Sequence, residues 1–179
     1  MGEVRGVDRG GVPPVTASAI LILTTGGTID KAYFDALSEY QIVDSGIPAL
    51  LKEARVALPF RVVEVMRKDS LELTDDDRAR IEQAAAEAPE TRIVITHGTD
   101  TMTETAKALA GVAGKTIVLT GALSPARFAE TDAAFNLGMA IATAQIAAPG
   151  VYIAMSGQVF NGLKVRKDRD AGRFVTVED

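Results

Sequence analysis

The sequence predicts a single α/β domain: an open, mostly parallel sheet with helices on both faces, three layers in all, plus a C-terminal β-hairpin. Three observations predict it. Short apolar runs alternate with segments of helical periodicity, the order expected of strand–helix–strand units. The runs are nearly continuous and rich in β-branched residues, which suits strands covered on both faces. A chain of 179 residues with 47% hydrophobic content is also long enough for one core, which at this length can take in roughly 70% of the unfolded surface.

Residues 1–18 are rich in Gly and Pro and lack an apolar stretch. They read as a flexible arm ahead of a domain at 19–179, and not as a targeting signal. Strands are expected at "AILIL" (19–23), "RVVEVM" (61–66), "RIVIT" (92–96), "KTIVLT" (115–120) and "VYIAM" (151–155). Helices are expected at 47–55, 74–88, 101–110 and 131–147. Thr74 with Asp77 three residues on makes a capping box for the second. Met102, Thr105, Ala106 and Leu109 share one face of the third, and Gly111 and Gly114 stop it. The fourth is the longest and most apolar. Near the end, Asn161-Gly162 lies between apolar flanks and is the expected turn of the terminal hairpin.

Composition excludes several chemistries. With no cysteine there are no disulfides, thiolate zinc sites or cysteine nucleophiles. One histidine, His97, cannot make a multi-histidine metal site, and no metal or other cofactor is called for. A net charge of −5, from 24 acids against 19 bases, argues against nucleic acid and anionic membranes as partners. No apolar run approaches the roughly 20 residues of a membrane span, and a cytoplasmic location is the expectation.

In open parallel sheets the ligand sits at the carboxyl ends of the strands. Four loops fall there: "TTGGT" (24–28), "RKDS" (67–70), "HGTDT" (97–101) and "TGALSP" (120–125). Each has an ordinary reading. The glycines after the first strand make a tight turn, Thr99 or Asp100 caps a helix, and His97 bonds to backbone. The charged run "LKVRKDRD" reads as a solvated surface. Glycines at a strand end also serve phosphate binding, but neither G-x-x-x-x-G-K-[ST] nor G-x-G-x-x-G is present and no lysine directly follows them. They serve equally well to present Thr28 as a nucleophile.

Taken together the loops are less ordinary. "LTTGGTID", "VITHGTDTMTETA" and "VLTGALSPAR", in this order and spacing, resemble the bacterial L-asparaginase family, and "FNGLKVRKD" is similar to its later lysine-bearing segment. The resemblance runs from about Ile20 to Lys167. It implies hydrolysis of L-asparagine to L-aspartate and ammonia, with asparagine favoured over glutamine. Thr28 then corresponds to the primary nucleophile, and Thr99 to a second threonine grouped with Asp100 and a lysine. That lysine is Lys167, with Lys164 as the alternative. Tyr33 resembles the loop tyrosine that helps to activate the first threonine.

A threonine hydroxyl needs a base or a strong hydrogen-bonding partner, and Lys167 serves as a base only when neutral. The oxyanion needs donors, for which the N–H groups of Gly27 and Thr99, in glycine-containing loops, are suited, and Gly98 is a further substrate-contact candidate. Asp100 is the natural partner of the substrate ammonium. Asp69 and Ser70, with Lys68, are candidates around the substrate carboxylate, although "RKDS" departs from the family's Ser-Gln-Asp. The Ala122 carbonyl suits the leaving amide nitrogen. Family members are longer, with a smaller C-terminal domain, so the chain reads as a short member resembling the catalytic domain alone. It is expected to form a homo-oligomer by the general rule of closed symmetry. Other readings are a non-catalytic amino-acid-binding module, a transamidation subunit and, least favoured, a nucleotide-phosphate binder.

Overall fold

The structure is a computed structural model, and it describes residues 19–34 and 39–177. The arm expected at 1–18 lies outside the described residues. Among the described residues six strands form the central sheet: β1 (Ile20–Gly26), β4 (Phe60–Lys68), β5 (Arg92–Thr96), β6 (Thr116–Thr120), β7 (Gly150–Met155) and β8 (Gln158–Asn161). Two hairpins lie outside it, β2 (Lys31–Phe34) with β3 (Glu39–Ile42) and β9 (Val165–Asp168) with β10 (Arg173–Thr176). The helices are α1 (Ile47–Glu53), α2 (Asp75–Glu87), α3 (Met102–Ala108) and α4 (Ala133–Ile146). Among the described residues no helix is long and apolar enough to cross a membrane.

The sheet order is β4-β1-β5-β6-β7-β8, parallel throughout except for the last pair. Alternate residues of the strands point to opposite faces, and both faces are apolar. Leu21, Leu23, Ile93, Ile95, Ile117 and Leu119 pack with Ile81 of α2 and Met102 and Ala106 of α3. Ile20, Ile22, Val94 and Val118 pack with Ile47 and Leu51 of α1 and Leu137 and Ala140 of α4. Each fully buried Leu or Ile contributes about 1.5–3 kcal/mol, so the three-layer arrangement follows from the continuous apolar runs. At β1 the chain steps first to β4 on one side and then to β5 on the other. This reversal opens a crevice at the carboxyl ends of β1 and β5.

The expected strands and helices are all present, and the capping box forms: Thr74 Oγ1 accepts from the Asp77 N–H (3.2 Å), and Asp77 Oδ2 from the Thr74 N–H (3.0 Å). Two features differ. The β2–β3 hairpin lies in the stretch between Thr28 and the first helix, where no strand is expected. The C-terminal hairpin is present as β9–β10, but Asn161-Gly162 is not its turn. A two-residue hairpin turn needs positive φ, which Ser156 (51°) and Gly157 (82°) adopt between β7 and β8. Gly162 serves close approach instead: a Cβ there would lie 3.1 Å from both Cγ1 and the carbonyl oxygen of Val151. The Leu163 N–H donates to Asn161 Oδ1 (2.9 Å) and the Lys164 N–H to the Asn161 carbonyl (3.0 Å), which turns the chain out of the sheet toward β9.

Candidate active site

Strand β1 ends at Gly26 and is followed by Gly27, both at positive φ (98° and 86°). Side chains are excluded there by contact as well as by conformation. A Cβ on Gly26 would lie 2.7 Å from the backbone of Lys68, and one on Gly27 would lie 2.5 Å from the Gly98 nitrogen. A Cβ on Gly98 would in turn meet Ser70 Oγ at 2.5 Å, and one on Gly121 the His97 carbonyl at 2.4 Å. The loops after β1, β4, β5 and β6 therefore form one block. Thr28 and Thr99 each lie one residue beyond the Gly27–Gly98 contact. Thr28 is half-buried and opens a single 3-10 turn, Thr28–Asp30, while Thr99 is buried.

Hairpin β9–β10 delivers the lysine. Lys167 Nζ donates to Thr99 Oγ1 (2.8 Å) and to Asp100 Oδ1 (2.7 Å), with 15% of its side chain exposed. Lys164 heads the hairpin three residues earlier and is not part of this cluster. The chain separation is 68 residues from Thr99 and 67 from Asp100, so only the fold brings the three together.

His97 is fully buried. Its Nδ1 lies 2.7 Å from the Gly98 carbonyl, which can only accept, so Nδ1 carries the proton and Nε2 accepts from the Thr105 hydroxyl (2.8 Å). Burial holds the ring's pKa down to about 4, keeping it neutral. The ordinary reading of a backbone-bonded histidine fits this residue, and its effect is to hold the Gly98 carbonyl in place.

In the β4 loop, Asp69 Oδ1 accepts from the Leu71 N–H (3.2 Å) and Oδ2 from Lys31 Nζ (2.8 Å). Burial pushes this carboxyl up, but Lys31 and the loop N–H groups outweigh it and leave it below the usual carboxylate range. Ser70 is buried, and its hydroxyl has no partner among the described residues. Lys68 is turned away, with Nζ on Asp77 Oδ2 (2.7 Å), and that contact leads the effects that lower Asp77 to about 2. The Gly27 N–H is engaged by the Lys68 carbonyl (3.1 Å) and is not free to meet an oxyanion. The Thr99 N–H has no such partner among the described residues.

Two polar residues that the sequence reading overlooked hold the β6 loop around Ala122. The Asp132 carboxylate accepts from the Leu123 and Ser124 N–H groups (both 3.0 Å). Asn136 donates to the Gly121 carbonyl (3.0 Å) and accepts from the Ser156 N–H (3.0 Å). A buried asparagine in an otherwise apolar helix is the signal that could have found it. Asp30 is a third such residue. It is buried, accepts from Ser45 Oγ (2.8 Å) and the Gly46 N–H (3.2 Å), and burial nonetheless raises its pKa.

Tyr33 is not drawn into the cluster. Its ring, 49% exposed, packs on Tyr40 across the hairpin (5.2 Å), and Tyr40 packs on Phe128 (6.1 Å). Its hydroxyl has no hydrogen bond among the described residues.

Comparison with known proteins matches residues 19–174 to the family model "Asparaginase, N-terminal". The L-asparaginase of Thermococcus kodakarensis is 32% identical over 163 residues, covering 86% of this chain and 48% of the relative. The glutaminase-asparaginase of Pseudomonas fluorescens biotype A is 32% identical over 162 residues, 83% of this chain and 45% of the relative. Among solved structures, L-asparaginase I from Vibrio cholerae superposes with a TM-score of 0.77 at 27% identity, over 89% of this chain and 51% of that one. The chain thus spans about half the length of these relatives.

Proposed function

The chain belongs to the asparaginase family, and from that premise we propose that it hydrolyses the side-chain amide of L-asparagine to L-aspartate and ammonia, with Thr28 as nucleophile. The single observation that carries the reading is the Thr99–Lys167–Asp100 cluster, with contacts of 2.8 and 2.7 Å, one residue from the backbone that abuts the Thr28 loop. A lone threonine after a glycine turn would be unremarkable, whereas an ammonium joining a hydroxyl to a carboxylate at the same crevice is a proton-handling group.

In this reading Thr28 Oγ1 attacks the amide carbon, and the carbonyl electron pair moves onto oxygen. The Thr99 N–H, without a partner among the described residues, serves as the donor for that oxyanion. The tetrahedral intermediate collapses by breaking the C–N bond. The hydroxyl proton of Thr28 reaches the leaving nitrogen as ammonia departs, and an ester on Thr28 remains. Water, held at Thr99 and Lys167, then attacks the ester, releasing aspartate and restoring the hydroxyl. Asp100 takes the substrate ammonium, the Ser70 hydroxyl donates to the substrate carboxylate, Asp69 shapes that wall, and the Gly98 and Ala122 backbone line the amide end. Tyr33 assists only if its hairpin turns it from Tyr40 toward Thr28. The reading includes preference for asparagine over glutamine, a homo-oligomer and a cytoplasmic location.

The test is ammonia release from asparagine and glutamine by the wild type, Thr28→Ala, Thr99→Ala and Lys167→Met. Release by the wild type that is lost in all three supports the reading. Equal silence of the wild type and Thr28→Ala, with asparagine still binding in a calorimeter, replaces it with an amino-acid-binding module.

A further inference from the structure

We propose that Lys31 is the receptor for the substrate's α-carboxylate, a role that the sequence pattern suggests for Lys68. The proposal rests on the amino-acid amide reading of the site. A substrate carboxylate entering this crevice needs a cation beside the nucleophile loop with donors to spare, and three other cations around these loops are held at other positions. Lys167 is engaged by Thr99 and Asp100. Lys68 reaches back to the α2 capping box, 2.7 Å from Asp77. Arg127 donates to the Asp44 carbonyl (2.6 Å) at the outer base of the β2–β3 hairpin.

Lys31 is placed differently. It follows Thr28 by three residues and opens β2 opposite Ile42. Ile42 Cγ2 lies 3.2 Å from where Gly26 would carry a Cβ, so this rung of the hairpin stands against the nucleophile loop. The Lys31 ammonium donates to Asp69 Oδ2 at 2.8 Å, and 26% of its side chain is open to solvent. An ammonium has three protons, and Asp69 takes one. The other Asp69 oxygen is bound by the Leu71 N–H, so the carboxylate is oriented by its own loop and in turn aims the lysine. The next residue, Ser70, holds its buried and unpartnered hydroxyl beside Gly98. A carboxylate between Lys31 and Ser70 would receive a charge-assisted bond from one and a neutral bond from the other. Asp100 is left on the Lys167 side for the substrate ammonium. The site thereby selects amides that bear a free carboxylate, and Asp69 acts as a positioning residue for Lys31.

Three ligands separate these roles: L-aspartate, succinate, which lacks the ammonium, and β-alanine, which lacks the α-carboxylate. Their calorimetric affinities are measured for the wild type, Lys31→Met and Lys31→Arg, and ammonia release is followed from the corresponding amides. Lys31→Met is expected to weaken aspartate and succinate about tenfold, the loss of one partly exposed charge-assisted contact, and to leave β-alanine unchanged. On asparagine KM rises by a similar factor while kcat stays within about threefold, and Lys31→Arg recovers most of the loss. Equal weakening of all three ligands would reduce Lys31 to a prop for Asp69 and overturn the proposal, as would no weakening of any or a wild type that binds none. Lys31-dependent binding of aspartate without ammonia from asparagine would uphold the carboxylate receptor and sink the hydrolase reading alone.

Discussion

Two neighbouring regions of the molecule hold their shape in opposite ways. The block of loops at the strand ends is joined backbone to backbone through Gly26, Gly27, Gly98 and Gly121, with His97 and Asn136 buried beneath it. The β2–β3 hairpin, which begins three residues after Thr28, is held by side chains in view of solvent: Lys31 on Asp69 and the stack of Tyr33, Tyr40 and Phe128. Tyr40 is 54% exposed, whereas His97 and Asn136 are wholly buried. The contrast indicates a division of labour. Groups that must meet an amide carbon and its oxyanion need preorganisation, which close backbone packing provides. A segment beside the entrance is free to be held by weaker, solvated contacts worth about 1 kcal/mol or less each.

Substitutions should respect that division. The largest effect is expected in the block, on turnover. Thr28→Ala should cut ammonia release from asparagine at least ~1,000-fold, about 4 kcal/mol of barrier, with a melting temperature near that of the wild type. A matching loss of thermal stability would mean that Thr28 is a structural residue.

Next comes the backbone contact itself. Gly27→Ala forces an L side chain into φ 86° and toward the Gly98 nitrogen. It should cost roughly 3 kcal/mol or more in urea unfolding, where surface changes on the hairpin stay within about 1 kcal/mol. A Gly27→Ala protein as stable as the wild type would break the comparison.

His97 supplies a third test, through pH. Its folded pKa of about 4 lies below the ordinary histidine value of 6.5. Between those values the unfolded chain binds a proton that the folded chain refuses, so stability falls as pH drops from 6.5 to 4 and is fully present above 6.5. The buried ring makes the loss roughly 3 kcal/mol. His97→Asn should flatten urea midpoints across this window, and an unchanged slope would show that acid sensitivity arises elsewhere.

The smallest effect belongs to the hairpin. Tyr40→Ala removes the ring between Tyr33 and Phe128. It should raise KM for asparagine by about threefold with less than about 1 kcal/mol of lost stability, as exposed aromatic pairs warrant. A loss as large as that of Gly27→Ala would erase the distinction between the regions.

Much of the frame was legible because its code is local. Continuous β-branched runs mark strands covered on both faces, and Thr74 with Asp77 marks a helix start, since these depend on residues a few positions apart. Placing four loops at the strand ends followed from the alternation of elements. The finer assignments failed or stayed open wherever they depended on direction in space. Asn161-Gly162 has the composition of a hairpin turn, but its glycine answers a steric demand from Val151, eleven residues earlier in the chain. The Gly27 N–H looked available until the β1–β4 pairing set the Lys68 carbonyl against it.

The sequence by itself therefore determined the layers, the strand ends that face the crevice and the kinds of side chain found there. These follow from periodicity and from backbone conformations that neighbouring residues impose. Only the tertiary structure decided which cation serves which partner: Lys167 and not Lys164 beside Thr99, Lys68 on Asp77, and Lys31 on Asp69. The physical reason is that hydrogen bonds and ion pairs act over about 3 Å. Lys167 and Thr99, 68 positions apart, and Lys31 and Asp69, 38 apart, come that close only after burial on both faces of the sheet has fixed the order β4-β1-β5, and the same packing turns Lys68 toward the start of α2.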